Sequence, residues 1–163
     1  MTEVSVVKHV ILHLDDDVQF LRVARARLRK YGLEVVSISE SSQAMETIQA
    51  GDFRVVLLDH DMPGLSGLSL LSDIKRHDGG IQVVMLTGAS SITSVLGAFR
   101  GGAEACFFKP VEDFKPIAES LHAAFGKIEH WRSTLKLLSE LRRGMTMEKE
   151  PDPAQISELA IAK

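Results

Sequence analysis

The feature that most constrains this chain is the segment of residues 55–64, where the apolar run VVLL leads directly into Asp59. Such a short run is typical of a strand that is buried on both faces, as in parallel sheets. Pro63 and Gly64 follow, and both residues interrupt regular structure. We therefore expect Asp59 at the carboxyl end of a buried strand, which is the edge where open α/β sheets bind ligands.

Four more apolar segments alternate with helical patterns. Strands are predicted at residues 9–14, 33–38, 55–59, 81–86 and 105–108. The predicted helices include one over residues 67–76, a fourth with Ile92, Val95, Leu96 and Phe99 at helical spacing, and a fifth that uses Phe114, Ile117, Leu121 and Phe125. Short loops and right-handed crossovers favour a flavodoxin-like α/β fold, (βα)5, with a doubly wound, five-stranded parallel sheet in the order 2-1-3-4-5.

The composition excludes several classes of protein. A net charge of −3 argues against general nucleic-acid binding, and the single cysteine, Cys106, allows neither a disulfide framework nor a cysteine metal cluster. The first strand is not followed by Gly-x-Gly-x-x-Gly, so a Rossmann dinucleotide site is not predicted. Neither a signal peptide nor an apolar run long enough for a bilayer is visible, and we expect a cytoplasmic protein without membrane insertion.

Four of the predicted strands end in chemically active residues. The first leads into Asp15 and Asp16, the third into Asp59, the fourth into Thr87 and the fifth into Lys109. Carboxylates in one crevice repel, and two unit charges about 5 Å apart cost about 3 kcal/mol at an effective dielectric constant near 20. Mg²⁺ would remove that cost, because it prefers oxygen ligands. With Asp59 as a carboxylate nucleophile, the set suits phosphoryl transfer.

Four segments of this chain resemble, in their order and spacing, the signature segments of response regulator receiver domains. They are ILHLDDD, VVLLDHDMPGLSG, VVMLTGAS and CFFKPV. These are the chemotaxis-regulator-like domains of two-component signalling, and the resemblance covers about residues 8–125. It implies that Asp59 is phosphorylated by a sensor histidine kinase or a histidine phosphotransfer protein. It also implies that the chain is not an enzyme beyond this self-phosphorylation from a donor and autodephosphorylation.

The resemblance further implies a set of ligands. Mg²⁺ is held by Asp15, Asp16, Asp59 and the backbone carbonyl of Asp61, and the phosphoryl oxygens are bound by Thr87 and Lys109. The Lys109–Pro110 peptide bond is expected to be cis, as in similar proteins. The side chain of Asp61 either faces the entrance to this site or is an ordinary loop acid.

One position departs from the family pattern. Receiver domains usually carry Tyr or Phe where this chain has Cys106, and that ring swings inward with the threonine on activation. Cysteine is too small to act in this way, and Phe107 is expected on the opposite face of its strand. The phosphorylation chemistry is therefore expected to be intact, while the usual readout is not supported. Cys106 is expected to be a small buried apolar residue rather than a redox sensor.

Other polar residues have simpler interpretations. Asp17 is expected to cap the first helix, His60 to be a solvated loop residue, and His13 to be a hydrogen-bonded core histidine. The basic face of the first helix, with Arg22, Arg25, Arg29 and Lys30, is either a solvated face or the surface that docks the phosphodonor, as it commonly does in this family.

The receiver-like part is taken as residues 1–126, followed by an amphipathic helix at 127–143 and a flexible tail at 144–163. The helix has Ile128, Trp131, Leu135, Leu138 and Leu141 three or four residues apart. It is marginal alone, so its apolar face needs its own receiver, a second chain or another protein. No DNA-binding motif is visible. We expect a single-domain receiver that contacts a downstream partner or a second copy through residues 92–143, or a part of a longer regulator.

Two rival functions are left open. A receiver fold could be a binding module without phosphorylation, and Cys106 is the feature that supports this. A haloacid-dehalogenase-type phosphatase would also use a strand that leads into Asp59 and Asp61, followed by a threonine and a lysine. That class places its additional acidic pair after the lysine, whereas Asp15 and Asp16 come first here, so the receiver is favoured.

Overall fold

The computed structural model describes residues 9–88 and 91–147, with side chains described up to residue 143. The strands are β1 (His9–Leu14), β2 (Leu33–Ile38), β3 (Val55–Asp59), β4 (Gln82–Thr87) and β5 (Ala105–Phe108). They form one parallel sheet in the order β2-β1-β3-β4-β5. The predicted flavodoxin-like fold is confirmed, and β4 begins at Gln82 rather than at residue 81.

The described part of the chain contains five α-helices. They are α1 (Val18–Arg29), α2 (Ala44–Ala50), α3 (Gly67–His77), α4 (Ile92–Arg100) and α5 (Lys115–Met147). A 3₁₀ turn, Ser41–Gln43, precedes α2. A short antiparallel pair, Asp61–Met62 with Leu65–Ser66, lies between β3 and α3 and was not predicted. None of the described helices combines the length and the apolar character needed to cross a membrane.

Apolar side chains on the two faces of the sheet form two clusters. Side chains alternate along β1, with Ile11 in the first cluster and Leu12 in the second. Helices α1 and α5 complete the first cluster through residues such as Leu28 and Leu121, and α3 completes the second through residues such as Leu70. Helices therefore cover both faces of the sheet, which explains why the central strands β3 and β4 are buried throughout rather than alternating.

Helix α4 packs through its small residues rather than through the large apolar residues at helical spacing. Ile92, Leu96 and Phe99 are 77%, 47% and 51% exposed. Ala98 is buried, and a Cβ atom added to Gly97 or Gly101 would lie only 3.0 Å or 2.8 Å from a leucine side chain of α3. Because α3 and α4 approach closely along this glycine and alanine face, the large side chains of α4 point away from the core.

Helix α5 is continuous where the sequence predicts a boundary near Gly126. It includes Gly126 and continues beyond residue 143 to Met147. Gly126 is not in the left-handed region, and a helical glycine costs only about 1 kcal/mol relative to alanine, so the helix-forming residues around it maintain the helix. The chain divides into two compact units, Met1–Ile128 and Glu129–Lys163. The rest of the predicted tail, residues 148–163, lies outside the described residues.

Candidate functional site

Three carboxylates meet at the carboxyl edge of the sheet. Asp15 directly follows β1 and Asp59 is the last residue of β3, so neighbouring parallel strands bring both to the same edge. Asp15 and Asp59 are 0% and 2% exposed, whereas Asp16 is exposed. One carboxylate oxygen from each of the three lies within 4.8 Å of the others. The acidic residues predicted as metal ligands are therefore close enough to share one cation.

Lys109 is the counter-charge of this cluster. Its ammonium nitrogen lies 2.7 Å from Asp15 Oδ2 and 3.0 Å from Asp59 Oδ1. Burial alone would lower the pKa of Lys109, but the hydrogen bond to Asp15 and the charges of both carboxylates raise it. The ammonium group also lies 4.6 Å from the ring centroid of Phe20, a favourable position for a cation over an aromatic face. Lys109 is therefore a charged group held between two carboxylates.

Asp15 has polar neighbours on both sides. Its Oδ1 accepts a 3.0 Å hydrogen bond from the backbone N–H of Asp17, and Nε2 of His13 lies 3.7 Å from its Oδ2. Burial would raise the pKa of Asp15, but His13, Lys109 and the Asp17 amide together lower it. Burial lowers the pKa of His13, against the opposing effect of Asp15. Asp15 is therefore an ionised carboxylate beside a neutral histidine.

The pKa of Asp59 is shifted in the opposite direction from that of Asp15. Burial raises the pKa of Asp59, the charges of Asp15 and Asp61 act in the same direction, and Lys109 only partly opposes them. Among the described residues, its Oδ1 is in an ion pair with Lys109 but has no hydrogen-bond partner of good geometry. A bound cation, or a covalent bond that spreads the charge over more oxygens, would stabilise such a carboxylate. Of the two buried acids, Asp59 is the one whose ionised form is less stabilised by its surroundings.

A close approach fixes the backbone after Asp59. The N–H of His60 donates a 2.8 Å hydrogen bond to the carbonyl of Leu86, and the N–H of Gly67 donates a 2.9 Å bond to the carbonyl of His60. A Cβ atom on Gly67 would lie 2.4 Å from the carbonyl oxygen of Asp59. Only glycine fits such a contact, so the first residue of α3 determines how the chain leaves the acceptor strand.

Thr87 and Asp61 lie at the same edge. Thr87 is the last residue of β4 and is 2% exposed, and its carbonyl accepts a 2.9 Å hydrogen bond from the N–H of Lys109. A Cβ atom added to Gly88, the next residue, would lie 3.8 Å from Asp61 Oδ2. The half-exposed side chain of Asp61 is thus beside the end of β4 and close enough to affect Asp59, as expected if it faces the site.

The prediction for His13 is confirmed in part, and the prediction for His60 is wrong. His13 is buried, but neither of its ring nitrogens has a hydrogen-bond partner among the described residues. His60 is not solvated, because its backbone is bonded to β4 and to α3, and its side chain is only 13% exposed. Two other predictions are confirmed. Asp17 caps α1 by accepting hydrogen bonds from the second and third residues of the helix, and the Lys109–Pro110 peptide bond is cis.

Cys106 and Phe107 lie on opposite faces of β5, as predicted. Cys106 packs against the second apolar cluster and Phe107 against the first. Burial raises the pKa of the Cys106 thiol, and a thiol is far less nucleophilic than a thiolate. Cys106 therefore acts as a small, partly buried apolar residue at this position.

The donor set fits Mg²⁺. The three clustered residues offer carboxylate oxygens alone, and hard divalent cations prefer oxygen to nitrogen or sulfur. Lys109 neutralises only part of the negative charge of three carboxylates, so the cluster can accept a further cation. The clustered residues that could hold it are Asp15, Asp16 and Asp59.

Two contacts of the site were not predicted from the sequence. Phe20 belongs to the apolar face of α1, and helical spacing gives no sign that its ring lies beside Lys109, the residue that follows β5. The contact between His13 and Asp15 has one signal in the sequence, which is a polar residue in an apolar strand two positions before an aspartate. Its side chain points to the same side of the strand as that acid because side chains alternate.

Comparisons with known proteins agree on one family. The family model described as the response regulator receiver domain matches residues 11–122. The transcriptional regulatory protein ZraR of Escherichia coli (strain K12) is 27% identical over 151 residues, which cover 93% of this chain and 34% of that regulator. The chain thus spans about a third of the length of this curated relative.

Solved structures give the same result. A response regulator receiver domain protein from Clostridium thermocellum has a TM-score of 0.70 at 27% identity and covers 76% of this chain and 98% of its own. A receiver domain protein described as CheY-like, from Methanospirillum hungatei JF-1, has a TM-score of 0.70 at 25% identity and covers 75% of this chain and 97% of its own.

Proposed function

This chain belongs to the response regulator receiver domain family, and we propose that Asp59 accepts a phosphoryl group from a sensor histidine kinase or a histidine phosphotransfer protein. The observation that carries the proposal is the position of Lys109, whose ammonium group contacts both Asp59 and Asp15 beside a cluster of three carboxylates. Phosphoryl transfer depends on this kind of positioning and charge neutralisation.

In this proposal Asp15, Asp16, Asp59 and the backbone carbonyl of Asp61 hold Mg²⁺, whose charge would neutralise the transferring phosphoryl oxygens. Asp59 supplies the nucleophilic carboxylate oxygen. It attacks phosphorus, the new P–O bond forms as the P–N bond to the donor histidine breaks, and the electron pair of that bond stays on the imidazole nitrogen.

Thr87 and Lys109 have complementary roles in binding the phosphoryl group. The Lys109 ammonium group is already 3.0 Å from Asp59 Oδ1, and it would transfer its contact to a phosphoryl oxygen. Thr87 ends the neighbouring strand, and its hydroxyl would donate a hydrogen bond to a second phosphoryl oxygen. Both contacts form only in the phosphorylated state. They can therefore shift the equilibrium between two conformations of a binding surface.

The output of this switch is a protein contact. We propose that a downstream protein or a second copy binds the region of residues 92–143, where α4 and the later part of α5 expose large apolar side chains. The receiver itself would act by this contact rather than by binding DNA. A cytoplasmic location is part of the same proposal. The relative ZraR is a transcriptional regulator, and this chain corresponds to about a third of it.

Phosphorylation can be tested with a small donor. Acetyl phosphate and Mg²⁺ are expected to add one phosphoryl group to the wild-type chain, measured by intact mass, and none after EDTA treatment. Asp59→Asn is expected to abolish the gain. Asp61→Asn is the matched control, because it keeps the backbone carbonyl, and it is expected to be phosphorylated. Equal modification of the wild type and Asp59→Asn would overturn the proposal.

One observation favours a second candidate function, a binding module that needs no phosphorylation. Cys106 replaces the aromatic ring of the usual switch and packs as a small apolar residue. If that is the function, Asp59→Asn will bind the partner as well as the wild type does. Continuous hydrolysis of a phosphomonoester, with turnover well beyond one equivalent, would instead indicate a phosphatase, which the family match does not support.

A further inference from the structure

His13 is a buried polar residue that the phosphorylation chemistry described above does not use. Its side chain is 0% exposed, in a strand where Ile11, Leu12 and Leu14 belong to the apolar core. Neither of its ring nitrogens has a hydrogen-bond partner of good geometry among the described residues. A buried donor or acceptor without a partner destabilises a folded protein, and this cost is offset if His13 gains a partner in another state of the site.

His13 and Lys109 face the same oxygen atom of Asp15. Nε2 of His13 lies 3.7 Å from Asp15 Oδ2, and the ammonium nitrogen of Lys109 lies 2.7 Å from that oxygen. Because an imidazole N–H bonds an oxygen within about 2.7–3.2 Å, a shift of roughly 0.5–1 Å would bring His13 into hydrogen-bond range. As long as Lys109 contacts Oδ2, the carboxylate has a charged donor there and does not depend on His13.

Ser37 favours the form of His13 that can donate to Asp15. It is the register partner of His13 on β2, so the two side chains lie on the same face of the sheet. Its hydroxyl oxygen is also buried without a hydrogen-bond partner among the described residues. Burial lowers the pKa of His13, and a neutral imidazole has one N–H and one acceptor nitrogen. A hydroxyl that donates to Nδ1 leaves the proton on Nε2, the nitrogen that faces Asp15.

We propose that His13 is a positioning residue for Asp15. When a phosphoryl group draws Lys109 away, the Nε2–H of His13 donates a hydrogen bond to Asp15 Oδ2 and holds this carboxylate in place as a metal ligand. Without that bond, the departure of Lys109 would leave a buried, ionised oxygen without a donor, which is costly. Groups that bond to a metal ligand from behind fix its orientation. The inference rests on the proposed phosphorylation of Asp59 and adds a residue to that site.

A double-mutant cycle on Mg²⁺ affinity tests the proposal without a phosphoryl group. Lys109→Met removes the ammonium group permanently, and His13→Leu removes the N–H but keeps a side chain that suits the core. Calorimetric titration is expected to show that His13→Leu lowers the Mg²⁺ affinity of the Lys109→Met chain by about 10-fold. The loss is expected to be clearly smaller in the chain that keeps Lys109, which is the coupling that such a cycle measures. His13→Gln keeps an N–H donor and is expected to restore most of the affinity.

The wild-type chain gives a second readout, which does not require Lys109→Met to fold. In ¹⁵N NMR spectra, the Nε2–H resonance of His13 is assigned by its loss in His13→Gln. It is expected to shift downfield when beryllium fluoride, a mimic of the phosphoryl group, is added together with Mg²⁺. His122 is the internal control and is expected to stay constant, because its Nε2 is already bonded to the carbonyl of Tyr31.

The two readouts separate the possible failures. An equal effect of His13→Leu with and without Lys109 is what a purely structural histidine would give, and it would overturn the proposal. A His13 resonance that stays constant in a chain that binds beryllium fluoride would also overturn it. If the chain does not bind beryllium fluoride but the cycle shows the expected coupling, phosphorylation of Asp59 fails, while the exchange between Lys109 and His13 is supported.

Discussion

Lys109 lies closer to Asp15 than to the proposed acceptor Asp59, with nitrogen–oxygen distances of 2.7 Å and 3.0 Å. The cation proposed to bind the phosphoryl group is therefore in contact with a carboxylate proposed to bind the metal. When Mg²⁺ joins the cluster, Asp15 gains a second positive neighbour, and the attraction that holds Lys109 weakens. We expect metal binding to free the ammonium group for the phosphoryl oxygens.

Replacement of Lys109 tests its role as counter-charge. Lys109→Gln leaves buried Asp15 and Asp59 without a cation, and the loss of one partner from a buried ion pair typically costs about 3–5 kcal/mol. The free energy of unfolding in EDTA, measured with urea, is expected to fall by an amount at the lower end of that range, because Lys109 is 22% exposed. Saturating Mg²⁺ is expected to restore much of the loss.

The control for this prediction is Lys115→Gln. Lys115 also faces a carboxylate, at 3.9 Å, but both side chains are more than 60% exposed, and such surface pairs contribute little. If Lys109→Gln is as stable as this control in EDTA, the ammonium group is not the counter-charge of the cluster.

Gly67 tests the geometry of the acceptor loop. Gly67→Ala would place a Cβ atom 2.4 Å from the Asp59 carbonyl oxygen, so the backbone that carries Asp59 must shift. We expect a loss of roughly 1–3 kcal/mol in unfolding free energy together with a lower yield of phosphorylation. Gly79→Ala is the control, since its nearest atom would be 3.8 Å away. A fully phosphorylated Gly67→Ala protein would contradict the account of this loop.

Gly126 tests whether α5 is one helix. Apart from the adjacent residues and the backbone of the helix itself, no atom of the described residues lies within 4 Å of a Cβ atom added there, and alanine is favoured over glycine in a helix interior by roughly 0.5–1 kcal/mol. Gly126→Ala is therefore expected to raise the free energy of unfolding by about that amount. A lower stability would mean that this glycine ends one helix and that a second begins after it.

Asp78 leads to a prediction of how the stability of the protein depends on pH. It accepts a 2.7 Å hydrogen bond from the N–H of Gly80 and a 2.6 Å bond from Nη1 of Arg54. The Gly80 amide and, after it, Arg54 lower the pKa of Asp78. Its contribution to stability is therefore complete above the pKa of the unfolded state and is lost as the pH falls through the lower pKa of the folded state.

Asp78→Asn removes the charge but keeps an acceptor for Gly80. Because Asp78 and Arg54 are 37% and 38% exposed, solvent weakens their attraction, and we expect a loss of about 0.5 kcal/mol at neutral pH. The difference from the wild type is expected to close in acid, as followed by urea unfolding at several pH values. Asp52→Asn is the control, because that carboxylate also pairs with Arg54 but is 81% exposed. If the difference in unfolding free energy between Asp78→Asn and the wild type stays constant with pH, the charge of Asp78 is not its cause.

The fold and the main site were predictable because each depends on short segments with few alternatives. The run before Asp59 is apolar on both faces, so it could be placed in the middle of a parallel sheet. Once the sheet order was known, Asp15, Asp59, Thr87 and Lys109 had to meet at one edge. The sequence therefore indicates that these residues lie close together, although it does not give the distances between them.

The errors for α4 and His60 share a physical cause, which is packing between distant segments. Helical spacing identified large apolar residues in α4, but the face that packs is chosen by how closely α3 can approach, and Gly97 and Ala98 allow the closer contact. His60 is covered because its backbone bonds to both β4 and α3. The continuity of α5 through Gly126 is a balance of small propensities, which a local pattern does not resolve.

Phosphorylation of Asp59 is tested most directly by locating the added phosphoryl group in the sequence. After incubation with acetyl phosphate and Mg²⁺, borohydride reduction converts an aspartyl phosphate to homoserine, which marks the modified residue in a peptide sequence. Homoserine is expected at position 59 and at no other carboxylate of the cluster. Homoserine at Asp15, Asp16 or Asp61, or unmodified Asp59 in a chain that has gained a phosphoryl group, would contradict it.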